Sequence, residues 1–66
     1  MLIKVFINRT ERTLCVDEGA AVTEILEALG LEENEHLVLK NGSLIPLDEA
    51  VREGDVLEVM RVVTGG

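Results

Sequence analysis

The sequence predicts an α+β protein in which a single helix covers one face of a β-sheet. Three observations carry this prediction. Strand-like apolar runs begin and end the chain, one apolar stripe at helical spacing lies between them, and turns containing Gly or Asn separate the shorter runs. With 66 residues the chain is long enough for one domain. We predict a domain over residues 1–63 and a flexible tail over residues 64–66.

The composition excludes several classes of function. Apolar residues make up 47% of the chain and charged residues 29%, which is typical of a folded globular protein rather than a disordered one. A net charge of -7 argues against direct nucleic-acid binding, which needs cationic side chains against phosphates. The charge fits either a docking surface for a basic partner or simple solubility.

Cysteine usage and hydropathy indicate the compartment. Cys15 is the single cysteine, so no internal disulfide can form, and a chain this small without disulfides is typical of a reducing compartment. No apolar run approaches the ~20 residues that a helix needs to cross a bilayer. We therefore expect a cytoplasmic protein that does not contact a membrane.

The first third of the chain predicts a β-hairpin. Residues 2–7 are rich in Ile, Val and Phe and form the first strand, residues 8–11 form a turn, and residues 12–16 form the second strand. Alternation along the second strand directs Leu14 to one face and Cys15 outward on the other.

A short helix follows the hairpin. Its apolar residues recur at the spacing of one helix face, and they are Val22, Ile25, Leu26 and Leu29. Either Ala21 or Thr23 can begin the helix, and Thr23 is the better cap chemically. Gly30 supplies the left-handed residue that ends it. A helix this short is unstable alone, so we expect it to lie on the sheet.

The second half of the chain predicts two short strands, a helical turn and a long last strand. Residues 37–40 form the third strand, and Asn41-Gly42 is a signal for a type I′ hairpin turn into residues 44–45. Residues 48–51 are predicted to form a helical turn capped by Asp48. Residues 56–63 form the last strand.

The first and last strands carry apolar residues on both faces, which predicts that both lie in the centre of the sheet. One helix covers only one face. Parity assigns to that face Ile3, Val5, Ile7, Leu57 and Val59.

Parity directs Phe6 and Met60 to the opposite, open face, beside Leu2 and Leu39. An exposed apolar patch of this kind marks a partner site. Alternatively, long side chains and loops cover it. We predict Phe6, Leu39 and Met60 as partner-binding residues.

Three motifs follow one another in the second half of the chain. They are Asn41-Gly42-Ser43-Leu44-Ile45-Pro46, then Gly54-Asp55-Val56-Leu57-Glu58, then Arg61-Val62-Val63-Thr64-Gly65-Gly66. In this order, after a hairpin and a helix, they resemble the ubiquitin-like β-grasp sulfur carriers ThiS and MoaD, and also the ubiquitin-related and small archaeal modifier proteins. The Pro-Pro pair that often precedes the tail in MoaD is missing. The resemblance implies a mixed four- to five-stranded sheet with one main helix on one face.

The resemblance also implies a function for the chain end. A ubiquitin-activating-type adenylyltransferase would transfer AMP from ATP to the carboxylate of Gly66, and a persulfide sulfur donor would convert the adenylate to a thiocarboxylate. Thr64 and Gly65 complete the tail, and a residue without Cβ can thread a narrow channel. The sulfur would pass to a thiazole synthase in thiamin synthesis or to a tRNA thiolation enzyme.

Two alternatives remain at this point. The same adenylate would serve a protein modifier that is joined through Gly66 to lysines of target proteins, or the chain is a plain β-grasp interaction domain whose tail has no role. In each case we expect no catalysis by the chain and no stably bound cofactor, since ATP and Mg²⁺ are used by the activating enzyme.

Three other features are candidates for chemistry. Cys15 could accept or relay sulfur, although a role as a small packing residue is the much stronger interpretation. His36 has no cysteine or second histidine nearby, so we expect no metal site. Four acidic residues near the last strand lack the spacing of a calcium loop, and we expect them to be solvated or to meet basic residues of the activating enzyme. These are Asp48, Glu49, Glu53 and Asp55.

Overall fold

Five strands and one helix make up the regular structure of residues 1–62, which are the residues that the computed structural model describes. In chain order they are β1 (Leu2–Ile7), β2 (Thr10–Cys15), α1 (Val22–Ala28), β3 (His36–Lys40), β4 (Ser43–Leu44) and β5 (Val56–Arg61). A single turn of 3-10 helix, Glu33–Glu35, precedes β3.

The strands form one mixed sheet in the order β2-β1-β5-β3-β4. β1 and β5 pair in parallel, and the other neighbours pair antiparallel. The predicted central position of the first and last strands is therefore confirmed. The α+β class and the ubiquitin-like β-grasp arrangement of a five-stranded sheet and one helix are confirmed as well.

The β1–β2 hairpin is tighter than the sequence predicts. Asn8 and Arg9 alone form the turn, with φ of 49° and 65°, and Ile7 pairs directly with Thr10. Both central residues therefore have the positive φ of a type I′ turn, which matches the twist of the flanking strands. The predicted turn over residues 8–11 is wrong because arginine gives no sequence signal for positive φ.

Helix α1 begins at an unexpected residue. Ala21, not Thr23, is the N-cap, and its N–H donates to the Glu24 carboxylate at 2.7 Å. The next two amides of the helix donate to carbonyl oxygens of a distant loop: Val22 N to Glu49 O and Thr23 N to Leu47 O, both at 3.0 Å. A capping side chain is unnecessary here because backbone carbonyls satisfy the first amides.

The predicted helical turn over residues 48–51 is also wrong, for a related reason. Asp48 lies in a turn in which Glu49 N donates to Pro46 O at 3.2 Å, and no helical turn follows it. Ala50 instead forms a β-bridge with Ala21, and Val51 N donates to Ala20 O at 2.9 Å. The carbonyls that a helical turn would use internally are directed at the start of α1 instead. The local preference for a helical turn that begins at Asp48 is therefore overridden by hydrogen bonds to a segment distant in sequence.

The end of α1 follows the prediction. Gly30 has φ of 74°, its N–H donates to Glu27 O at 3.0 Å, and Leu31 N donates to Leu26 O at 2.9 Å. This pair of bonds is a Schellman motif, which satisfies the last carbonyls of a helix. Among the described residues, no helix has the length and apolar character needed to cross a bilayer.

Asn41-Gly42 forms the predicted two-residue turn, with φ of 52° and 86°. The return strand is Ser43–Leu44, one residue earlier than predicted, because Lys40 pairs with Ser43 across so short a turn. The last strand ends at Arg61 rather than at 63. Val63 lies outside the described residues.

The core lies between the sheet and α1. Its ten buried residues come from every layer of the fold, and they are Ile3, Val5, Ala20, Val22, Ile25, Leu26, Val38, Val51, Leu57 and Val59. The predicted helix-facing set is confirmed, with Ile7 partly buried at its edge. Leu14 of β2 also packs against this core, as predicted. Burial of these aliphatic side chains is the main favourable term of folding.

Two leucines of the sheet provide a matched test of this core. Leu57→Ala should lower the free energy of unfolding by about 2–5 kcal/mol, because Leu57 is completely buried and the substitution leaves a cavity. Leu44→Ala should change it by less than about 0.5 kcal/mol, since Leu44 is 63% exposed. Urea denaturation measures both, and equal losses would contradict the packing described above.

Candidate functional site: the open sheet face and the chain end

The sheet face turned away from α1 carries an apolar patch. Phe6, Leu39 and Met60 lie on this face, each one residue along its strand from a buried core residue. Phe6 is half-buried and Met60 is 48% exposed. The structure therefore brings the three predicted residues to one face, while their role in binding a partner stays a prediction.

Two leucines that the sequence analysis omitted extend the patch. Leu37 pairs with Met60 across β3 and β5, and Leu44 pairs with Leu39 across β3 and β4. Directly paired residues point to the same face, so both leucines join it. We use the term open-face patch for Phe6, Leu37, Leu39, Leu44 and Met60. The two-residue Asn41-Gly42 turn was the signal that could have found Leu44, because it fixes the register of the hairpin.

A carboxylate stands in the middle of the open-face patch. Glu58 of the central strand pairs with Phe6 on one side and with Leu39 on the other. Its side chain is exposed, and it shares a shallow depression with Phe6 and Met60. The patch therefore surrounds one negative charge.

The chain end leaves the sheet from this central strand. Beyond β5, Val62 N donates to Glu35 O at 2.7 Å, and Arg61 pairs with His36 at the end of β3. The backbone is thus held through Val62, four residues before Gly66. The predicted tail residues Thr64, Gly65 and Gly66 lie outside the described residues.

His36 lies at the start of β3, beside the end of β5. Its Nδ1 lies 2.6 Å from the carbonyl oxygen of Glu32. A carbonyl only accepts, so Nδ1 carries the hydrogen. Within residues 1–62 no group of three or more His, Cys, Asp or Glu side chains converges as metal ligands would.

The acidic residues near β5 divide into two pairs. Lys40 Nζ lies 3.1 Å from Glu49 Oε2 and 3.8 Å from Asp55 Oδ2, and Asp55 also accepts a hydrogen bond of 2.7 Å from Arg52 N. Both carboxylates therefore pair with Lys40, the Glu49 side chain stays 37% exposed, and a contact of either with a partner stays a prediction. Asp48 and Glu53 are exposed, as predicted.

Cys15 is exposed at the end of the edge strand β2, as the alternation predicted. It pairs with Leu2, at the far end of the open face from the chain exit. Strand β1 lies between β2 and β5, and a role for Cys15 in sulfur relay stays a prediction.

Comparisons with known proteins agree with this architecture. The model of the ThiS family matches residues 4–66, and thus includes Gly66. Over 43 residues the chain is 40% identical to the sulfur carrier protein TtuB of Thermus thermophilus, a match that covers 65% of this chain and 66% of TtuB, just under two thirds of that relative.

Two solved structures are similar over nearly their whole length. SAMP1 from Haloferax volcanii superposes with a TM-score of 0.76 at 24% identity and covers all of both chains. At this identity the likeness concerns the fold. The thiamine biosynthesis protein ThiS from Geobacter metallireducens gives a TM-score of 0.67 at 28% identity over 96% of this chain and 99% of its own.

The fold and the open face thus define a small ubiquitin-like protein of the β-grasp type. The family match covers nearly the whole chain, the Thermus protein is similar in sequence, and the Geobacter protein is similar in both sequence and fold. The chain belongs to the ThiS family of β-grasp sulfur carriers.

The environments of the two lysines predict unequal reactivity toward acylating reagents. Lys4 is exposed on the open face, whereas Lys40 is engaged by Glu49 and its side chain is 24% exposed. We expect an N-hydroxysuccinimide ester, supplied below one equivalent, to acylate Lys4 several-fold faster than Lys40. Peptide mass spectrometry measures the two sites separately. Glu49→Gln should narrow the gap, and preferential labelling of Lys40 in the unaltered chain would contradict the assignment.

Proposed function

We propose that this protein is a sulfur carrier whose working group is the carboxylate of Gly66. The observation that carries the proposal is the family match through Gly66. Strand β5, which is central in the sheet, ends five residues before Gly66 in the sequence. The rigid body supplies a docking surface, and the chain end supplies the reacting group. The chain acts as a carrier and is acted on by enzymes.

Activation comes first in the proposed cycle. A carboxylate is a poor acyl donor because oxide is a poor leaving group. A ubiquitin-activating-type adenylyltransferase, using ATP and Mg²⁺, joins AMP to the Gly66 carboxylate and releases pyrophosphate. Glycine at 65 and 66 leaves the carbonyl unhindered and lets the chain thread a narrow channel.

Sulfur transfer follows activation. The terminal sulfur of a persulfide on a donor protein attacks the Gly66 carbonyl carbon, and AMP leaves. A thiol then cleaves the sulfur–sulfur bond, so that the donor sulfur stays on Gly66 as a thiocarboxylate and the thiol is oxidised to a disulfide. The product is a nucleophilic sulfur attached to a protein.

The open-face patch is the proposed docking surface for the adenylyltransferase. Phe6, Leu39 and Met60 supply apolar contact area, and the net charge of -7 favours encounter with a basic surface. Binding energy from this remote face would position the Gly66 carboxylate for reaction. Met60 of the patch lies on β5, the last strand before the chain end, and Phe6 and Leu39 lie on the two strands that pair with β5, which supports this role.

The acceptor of the sulfur is a thiazole synthase or a tRNA thiolation enzyme in this proposal. The name of the Geobacter relative, a thiamine biosynthesis protein, supports the thiazole synthase, whereas the name of the Thermus relative supports the sulfur-carrier role without indicating an acceptor. A cytoplasmic location follows from the need for ATP and a persulfide donor. A protein modifier joined through Gly66 to lysines is the second candidate, because it begins from the same adenylate.

Gly66→Val should abolish adenylation and leave the fold intact, because the branched side chain crowds the reacting carbonyl and the entry channel. ATP–pyrophosphate exchange with the host adenylyltransferase measures the first effect, and thermal melting the second. Thr10→Val is a matched control, since it introduces the same side chain at an exposed position of β2. Normal exchange by the Gly66 variant would overturn the proposal.

Mass spectrometry of protein isolated from its native host separates the two candidate functions. A carrier should show replacement of one terminal oxygen by sulfur, and the intact mass measures this directly. A modifier should leave residues 62–66 attached to host lysines after trypsin digestion, because trypsin cleaves after Arg61. A population with neither mark, in cells that contain the activating enzyme, would contradict both.

A further inference from the structure

Glu58 places a charge at the centre of the proposed docking surface, where solubility of the protein does not require one. It lies on the central strand, between Phe6 of β1 and Leu39 of β3, and Met60 follows it on the same face. A partner that covers the open-face patch therefore covers Glu58. The carboxylate then leaves bulk water with the apolar side chains around it.

Removal of a carboxylate from water is costly unless a cation or several hydrogen-bond donors replace the solvent. Interfaces are accordingly depleted of charged residues at their centre. A partner with a purely apolar or acidic surface would be opposed by Glu58. A partner with a suitably placed cation would form a charge-assisted hydrogen bond with Glu58 at the centre of the interface. At that position a partner with the wrong charge is rejected most strongly.

The chain itself does not neutralise Glu58. Within residues 1–62 the ion pairs are those of Lys40 with Glu49 and Asp55. Lys4 lies on the neighbouring strand, opposite Val56. Arg9 and Arg61 line the same depression as Glu58, yet none of these three cations makes an ion pair with it. The Glu58 carboxylate oxygens, in the middle of the patch, are therefore available to accept hydrogen bonds from a partner.

We propose that Glu58 is a specificity-determining residue of the open face, and that the partner presents one basic side chain framed by apolar groups. Arginine fits best, because its planar fork can donate two parallel hydrogen bonds to a carboxylate and is less strongly hydrated than an ammonium group. The identity of this partner as the adenylyltransferase rests on the proposed function. The requirement for a cation rests on the geometry of the patch.

A second copy of this chain is a poor occupant of the same face. Packing two open-face patches about a two-fold axis would bring like-charged surfaces together, on chains that each carry a net charge of -7. Like charges that face one another across an interface disfavour the complex. A partner with a basic centre has the complementary charge.

The direction in which one substitution changes the binding affinity tests the proposal. Glu58→Gln keeps the shape of the side chain and removes its charge. If the partner presents a cation, Glu58→Gln should weaken binding of the host adenylyltransferase by at least tenfold. This is the range found when one member of a buried charge pair is removed. Glu58→Lys should weaken binding further. Against an apolar partner surface Glu58→Gln should tighten binding instead. Isothermal titration calorimetry without ATP measures these affinities.

Matched variants identify the charge pair. Glu27→Gln alters an exposed carboxylate of α1, on the other side of the sheet from the patch, and should leave binding within twofold of the unaltered chain. Arg9→Gln and Lys4→Gln should not reproduce the loss of Glu58→Gln. If either does, a cation of this chain pairs with Glu58 in the complex and the proposal fails. Unchanged or tighter binding by a folded Glu58→Gln variant overturns it as well.

Adenylation of the unaltered chain keeps this test separate from the proposed function. If the enzyme binds the chain but does not adenylate it, the sulfur-carrier proposal fails while the affinities still decide the role of Glu58. If adenylation proceeds and Glu58→Gln binds normally, the role of Glu58 fails alone. An enzyme that does not bind the unaltered chain contradicts both.

Discussion

The parallel pairing of β1 with β5 is the constraint on which the rest of the structure depends. It joins the two ends of the described chain at the centre of the sheet, where Val5 and Leu57 are completely buried beneath α1. Antiparallel partners then add on both sides, β2 beside β1 and β3 beside β5. Because β5 is central, the chain end emerges from the most firmly held strand, and the opposite face of that strand becomes the middle of the open surface.

Much of this architecture could be predicted from periodicity alone. Alternation in the first and last strands separates Val5 and Leu57 from Phe6 and Met60, and the helical stripe matches the buried face of α1. Two of the errors, at the start of α1 and at residues 48–51, have one cause. Local signals at Thr23 and Asp48 predicted a capping side chain and a helical turn, whereas backbone hydrogen bonds between segments distant in sequence determine both regions.

The candidate site shows a similar division. Parity was sufficient for Phe6 and Met60, and the Asn41-Gly42 turn could have placed Leu44. The pairing of Leu37 with Met60 across β3 and β5 is not revealed by a single sequence. Glu58 gave no signal at all, since a charged residue on the outer face of a strand is ordinary. Its significance comes from its neighbours, Phe6 and Leu39, which belong to strands far away in sequence.

The loop carbonyls that accept hydrogen bonds from the first amides of α1 limit which changes in loop length this chain can tolerate. Connecting loops usually tolerate insertions and deletions. Here the segment after β4 supplies Leu47 O and Glu49 O to the amides of Val22 and Thr23, so a change in its length would expose the first turn of a helix some 25 residues earlier. Relatives that lengthen this loop would need to restore a Ser, Thr, Asp or Asn at position 21 to keep the helix intact.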